Sequence, residues 1–286
     1  MAIIQAKWRL YWSLIKSLQT ALLVLTGVAG FMSTRCPFLN LKATLAVMGS
    51  LFLAVSGSTI LNMWYDRDID ARMTRTRHRP LPAGLISPQE ALLLGLVVSG
   101  LGVGWAFAMD RLYGLVVFAG LFFDVVVYTI WLKRRTCWSI VWGGISGGMP
   151  VLAGRTLGAG RIEWIGVVLA LAILFWIPTH ILTFSLRYRE DYARAGVPTF
   201  PSTYGERATQ VIIAGSSVMA SLLMIVAAYG IGLTVGYLRL MAVLSIGMLL
   251  LAIGSAVRPS EHVNFGLFKY ASLYMLSTMT LMMLVV

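Results

Sequence analysis

The sequence predicts an all-α membrane protein with nine transmembrane helices. Three observations carry this. Hydrophobic residues make up 58% of the 286 and charged residues 12%, and the mean hydropathy is +0.82, outside the range of ordinary soluble domains. Apolar runs of about 18–20 residues, the length that crosses a bilayer, recur along the whole chain. Period-two alternation is absent, which argues against an outer-membrane barrel. No soluble domain fits between the runs, so residues 1–286 read as a single transmembrane domain whose function lies in the membrane or at its face.

The spans are expected near 17–34, 42–61, 90–109, 112–132, 138–154, 163–184, 208–230, 235–256 and 267–286. Ahead of the first, MAIIQAKWRLYWSLIKSLQ has no small-residue cleavage site and reads as a basic, aromatic segment lying at the interface. The second ends in LAVMGSLFLAVSGSTIL and runs straight into a charged stretch. The fourth, LFFDVVVYTIWLKRR, holds Asp124, an acid expected to face the bundle interior and there to pair with a basic group or line a cavity. In the fifth, WSIVWGGISGGMPVLAG, Gly143 with Gly147 and Gly144 with Gly148 give the small-xxx-small spacing of close helix packing, and Pro150 is expected to bend it. The sixth, with WIPTHILTF, places His180 near its inner end. That residue reads either as a hydrogen bond between helices or as a substrate or haem contact. Cys36 and Cys137 are expected near opposite faces, which disfavours a disulfide or a metal pair.

The net charge of +12 would point to nucleic acid in a soluble protein. Here it marks topology. With the N-terminus inside and nine spans, 17 of the 23 basic residues fall on inner segments and six on outer ones, Arg155 among the latter. The C-terminus is then outside, and no nucleic-acid partner is expected. Two inner loops, 62–89 and 186–207, are long and polar and both carry carboxylates. They follow spans two and six, which suggests duplication of a four-helix unit (spans 1–4 and 5–8) with a ninth span appended. The chemistry is therefore expected on the cytoplasmic side.

Residues 62–80 read NMWYDRDIDARMTRTRHRP. If span two continues as a helix, Asn62, Asp66 and Asp70 share one face, each about 6 Å beyond the last, and Asp68 falls near the opposite face. Hard oxygen ligands in that register suit Mg²⁺, which keeps room for phosphate oxygens. A solvated loop neutralised by Arg67 and Arg72 is the plainer alternative. Arg72, Arg75, Arg77, His78 and Arg79 follow, and guanidinium groups bind phosphate bidentately; the alternative is an anionic-lipid patch. Pro80, Pro82 and Gly84 then shape a turn. Together the parts describe a Mg²⁺–diphosphate site. In the second loop, LRYREDYARAGVPTFPSTYGE, Glu190 and Asp191 are expected to end span six among Arg187, Tyr188, Arg189 and Arg194. Asp191 can hold a second magnesium there, with the arginines or Tyr188 on diphosphate oxygens. Lys133, Arg134 and Arg135 after span four reach the diphosphate or simply end the span.

Asn62, Asp66, Asp70, Met73, Arg75, Thr76, Arg79 and Gly84 stand at spacings that resemble the signature of the UbiA superfamily of intramembrane prenyltransferases. The likeness extends over the nine spans and both loops. It implies helices around a central lipid-lined cavity and an isoprenyl diphosphate bridged by two Mg²⁺ ions. Asn62, Asp66 and Asp70 would hold one ion and Asp191 the other. Arg75, Arg79, Lys133 and Arg134 would neutralise the pyrophosphate, with Arg72, Tyr188 and His180 as further substrate contacts. NMWYDRDIDARMTRTRHRPLP, YTIWLKRRT and DYARAGVPTFP are similar to segments of the members that farnesylate haem b. That resemblance implies haem b or another hydrophobic acceptor, membrane lipid around the site, and a downstream haem-modifying or oxidase-assembly protein as partner. The chain departs from the pattern at Ser139, at Met149-Pro150 and at Gly154-Arg155, and Arg187 stands where quinone-type members start a second DxxxD. Transfer to a quinone precursor or a lipid glycerol phosphate, prenyl cyclisation and, remotely, a transporter stay open.

Overall fold

The computed structural model describes residues 9–34, 41–258 and 260–284, and among these there is helix and no strand. Lys7, Arg35 and Cys36 lie outside the described residues. Residues 9–14 are helical, and from Ser17 on the helices are α1 (Ser17–Met32), α2 (Leu41–Arg72), α3 (Pro88–Met109), α4 (Arg111–Leu132), α5 (Ser139–Ala159), α6 (Trp164–Arg187), α7 (Arg189–Ala195), α8 (Phe200–Ile231), α9 (Val235–Val257) and α10 (Glu261–Met283). Among the described residues, α1–α6 and α8–α10 overlie the nine expected segments. Six helices, α2, α3, α4, α6, α8 and α9, are long and apolar enough to cross a membrane. Leu45, Leu96, Leu101, Val211, Leu222 and Leu250 stand exposed on them. An apolar surface of that extent needs lipid rather than water around it.

Local chemistry sets the helix ends. Ser87 accepts from the Glu90 N–H while the Glu90 carboxylate takes the Ser87 N–H, and Pro88 occupies the first turn of α3. Asp110 caps α4 through the Tyr113 N–H at 2.8 Å. Gly205, at φ 82°, breaks the helical path inside α8, so its first turn stands apart from the apolar run that follows.

Glycines decide which helices touch. A Cβ on Gly154 would lie 1.8 Å from the Gly27 carbonyl oxygen, so α1 and α5 cross backbone to backbone. On Gly102 it would lie 2.3 Å from the Ala54 nitrogen, which brings α3 onto α2. Gly144, Gly147 and Gly148 meet Leu174, Ile177 and Ala170 of α6, as the small-xxx-small spacing predicts. The α5 helix continues through Pro150 to Ala159, farther than expected. Arg155 is therefore not in an outer loop. It is buried, and donates to the Ser33 carbonyl at 2.8 Å, to Ser33 Oγ at 2.7 Å and to Glu163 at 2.5 Å. A buried guanidinium needs all its partners, and these tie α5 to the end of α1. A second correction concerns the polar loop: Glu190 and Asp191 do not end α6, which stops at Arg187, but open the short helix α7.

Candidate active site

The α2 helix does not stop where its apolar part stops. It runs 32 residues to Arg72, carrying Ser58, Asn62, Asp66 and Asp70 up one face at four-residue spacing. All four are buried, and Asp68, off that face, is exposed.

Facing this stripe is α4, whose winding changes. From Phe122 to Leu132 it is π-helical, with the Lys133 N–H bonded to the Tyr128 carbonyl five residues back at 2.8 Å. The wider turn spaces Asp124, Thr129 and Lys133 so that all three meet α2. Asp124 accepts from Asn62 Nδ2 at 2.8 Å and from Ser58 Oγ, with Ser146 Oγ of α5 at 3.5 Å. Thr129 Oγ1 donates to Asn62 Oδ1 at 2.7 Å. Lys133 Nζ pairs with Asp66 Oδ2. Both ends of the Asn62 amide are thus engaged by α4, which makes it a tie between helices.

Asp66 is the tightest element of the seam. Its side chain is 5% exposed, and Oδ1 has no hydrogen-bond partner, with Arg134 Nη2 at 3.7 Å. Burial works to discharge Lys133, but Tyr128 and Asp66 outweigh it and raise its pKa above the ordinary lysine value. Arg134 makes a two-pronged pair with Asp68 at 2.8 and 2.6 Å and lies 4.6 Å over the Tyr65 ring. Asp70 accepts from Arg79 Nη1 at 2.8 Å, and its carbonyl takes the Thr76 hydroxyl at 2.8 Å. The loop after α2 is thereby folded back onto the acids, with Gly84 in the left-handed region at φ 71° closing the turn.

The other expected site residues have contacts of their own. Asp191 is buried and receives the Thr74 and Arg75 N–H groups at 3.1 and 3.3 Å, with Arg194 Nη2 at 2.9 Å. Against burial, the two backbone donors hold its carboxyl below the usual aspartate value. It docks the second loop onto the first. The Arg75 guanidinium is stacked over Phe184 and Tyr188, 4.7 and 5.4 Å from the ring centres. Arg72 is exposed. His180 is sandwiched between Trp176 and Phe268, ring centres 5.0 and 4.4 Å away, with Nδ1 3.3 Å from Ser272 Oγ. It belongs to an aromatic column on α6 and α10.

Among the described residues, no three His, Cys, Asp or Glu side chains converge on one point. That suits a Mg²⁺ held by one or two carboxylates and completed by phosphate oxygens rather than a protein cage. Asp66 fits such an ion, because a buried carboxylate oxygen without a partner is a ligand in waiting. Lys133, Arg134 and Arg79 ring the same acids, which gives a polyanion its counter-charges. Asp124, expected to pair with a basic group or to line a cavity, instead has the Asn62 amide and the Ser58 and Ser146 hydroxyls as its hydrogen-bond partners, and sequence reasoning assigned Ser58 and Thr129 no role. The signal available was Ser58, one more step back in the α2 register.

Residues 22–273 match the UbiA prenyltransferase family. The chain is similar to curated proteins named protoheme IX farnesyltransferase. That of Archaeoglobus fulgidus is 44% identical over 205 residues, covering 71% of this chain and 72% of the relative. That of Pyrobaculum arsenaticum is 43% identical over 205 residues, covering 71% and 73%. Among solved structures, a digeranylgeranylglyceryl phosphate synthase superposes with TM-score 0.80 at 19% identity over 98% of each chain. A UbiA homologue from Archaeoglobus fulgidus bound to GPP and Mg²⁺ gives TM-score 0.70 at 16% identity over 96% of this chain and 99% of its own. Likeness at such identities establishes the fold.

Proposed function

Because the chain belongs to the UbiA prenyltransferase family, we propose that it transfers a farnesyl group from its diphosphate to haem b, giving haem O. Identity of 43–44% to proteins named protoheme IX farnesyltransferase carries the choice of donor and acceptor. The α2–α4 seam supports the chemistry.

In the reaction the allylic C–O bond of farnesyl diphosphate breaks, both electrons leaving with the pyrophosphate. The electron-rich vinyl carbon of haem b bonds to the allylic carbon. Water adds to the resulting cation and loses a proton, leaving a hydroxyethyl-farnesyl group. Asn62, Asp66 and Asp70 would hold one Mg²⁺ and Asp191 a second, as the family pattern implies. When bound, the metal supplies Lewis-acid neutralisation of the diphosphate. Lys133, Arg79 and Arg134 stand ready for charge that develops on the leaving group, and the surrounding apolar helices keep stray water from the allylic cation. The relative bound to GPP and Mg²⁺ supports this assignment of donor and metal.

The positive-inside bias supports nine spans with both polar loops and the N-terminus cytoplasmic and the C-terminus outside. The backbone crossing of α1 with α5 supports a single domain built from two four-helix units. A product with an apolar tail leaves within the bilayer, which favours hand-off to a haem-modifying or oxidase-assembly protein.

The test is to incubate membranes containing the protein with farnesyl diphosphate, Mg²⁺ and haem b and to analyse the haem by mass spectrometry. A haem heavier by farnesyl plus hydroxyl is expected. Unchanged haem, with prenylation of an aromatic acid or a glycerol phosphate, would overturn the acceptor. Asp66→Ala should abolish transfer while the chain stays in the membrane; full activity would remove Asp66 from the metal site.

A further inference from the structure

We propose that a cavity of about 400 Å³ between α6, α8 and α10 is the acceptor subsite, in which Arg187 and Arg189 receive the carboxylates of a planar porphyrin edge. This rests on the reading of haem b as acceptor. The cavity lies outside the α2–α4 seam and uses none of its residues. Its volume is within the range of small-molecule sites, and its lining combines the two features that a planar dicarboxylate requires.

The first is a flat apolar wall. Phe184, Phe265 and Phe268 line the cavity. The rings of Phe265 and Phe268 are parallel within 7° at 5.9 Å, and Phe268 continues into His180 and Trp176. A flat ligand meets aromatic faces in such a place by stacking.

The second is polar groups for a ligand to meet. Gln210 is 4% exposed and lines the cavity, where its amide can donate to or accept from a ligand. At the rim, Arg187 lies 4.2 Å over the Phe265 ring and 3.9 Å from a Glu261 oxygen. Arg189 pairs with Glu206, and both members of that pair are more than half exposed. These rim glutamates are weak, solvated partners, so the carboxylates of a ligand replace them like for like. The cavity also abuts the donor loop: Phe184, on its wall, carries the Arg75 guanidinium at 4.7 Å.

The probe pair is haem b and its dimethyl ester, which keeps the ring and removes both negative charges. In the full-length protein, Arg187→Gln with Arg189→Gln should weaken haem b binding in an absorbance titration without donor by about tenfold or more. It should raise the KM for haem b likewise and leave the KM for farnesyl diphosphate near wild type. The wild type should disfavour the ester by a similar factor, and the double variant should not distinguish ester from acid. Gln210→Leu, which leaves the charges in place, should weaken both probes equally. If the double variant keeps the wild-type preference for acid over ester, the subsite is wrong even where haem is farnesylated. If haem b binds with arginine dependence but is never farnesylated, the cavity remains a porphyrin-carboxylate site while its role as acceptor subsite falls with the acceptor reading.

Discussion

Lys133→Met removes the cation that faces a nearly dry carboxylate. The Asp66 side chain is 5% exposed and that of Lys133 21%. Deleting one partner of a buried ion pair costs about 3–5 kcal/mol. Two features reduce this. Lys133 is partly wetted, and Arg134, at 3.7 Å from the other Asp66 oxygen, supplies part of the missing charge. A loss of about 2–3 kcal/mol follows. At about 2–4 °C per kcal/mol for a domain of 150–250 residues, the melting midpoint in detergent micelles should fall by about 4–12 °C. The assay is thermal unfolding of wild type and variant with chelator, and again with Mg²⁺ and pyrophosphate. Added Mg²⁺ replaces the missing counter-charge, so the gap between the proteins should at least halve. A drop under about 1 °C with chelator would show that Asp66 does not depend on Lys133. A full drop that Mg²⁺ leaves untouched would show that Asp66 is not where the metal sits.

Asp124→Ala leaves the Asn62 amide and the Ser58 hydroxyl without their acceptor; at about 1–3 kcal/mol for each orphaned buried group, farnesyl transfer should fall about tenfold or more, and wild-type kcat/KM would refute the tie. Asp191 has a folded-state pKa below its ordinary 3.8, so its docking of the donor loop is present above that value and lost as pH falls through the lower folded one. Hydrogen exchange at the Thr74 and Arg75 amides, corrected for intrinsic rate, should therefore quicken in Asp191→Ala at neutral pH, and in the wild type only in strong acid. Gly154→Ala drives a Cβ to 1.8 Å from the Gly27 oxygen, backbone against backbone, and should cost about 3 kcal/mol or more of stability. Gly100→Ala, with nothing within 4 Å, should instead be neutral or stabilising by up to about 1 kcal/mol.

The parts legible in the sequence follow from local rules. Asn62, Asp66 and Asp70 could be placed together because an α-helix repeats its face every four residues and nothing in 41–72 breaks it. The small-xxx-small glycines of α5 predicted close contact because only small residues let backbones meet. What stayed hidden depends on partners far apart in the chain. The stretch FFDVVVYTIWL has no period that separates π from α winding, so the Asp124, Thr129 and Lys133 alignment could not be read. Asp191 reads as a metal ligand by residue type and place in the loop, but its acceptance of two N–H groups more than a hundred residues away could not be read. His180 was ambiguous for the same reason: its neighbours on α10 lie some ninety residues on.

The π-winding of α4 also makes the number of residues between two points on that helix a functional quantity. If Phe122–Leu132 wound as ordinary α-helix with its residue count unchanged, the tighter turns would rotate everything beyond it about the axis. Lys133 would turn from Asp66 although no charged or polar side chain had been altered. Winding is thus a property of this helix that can silence the protein while preserving its chemistry.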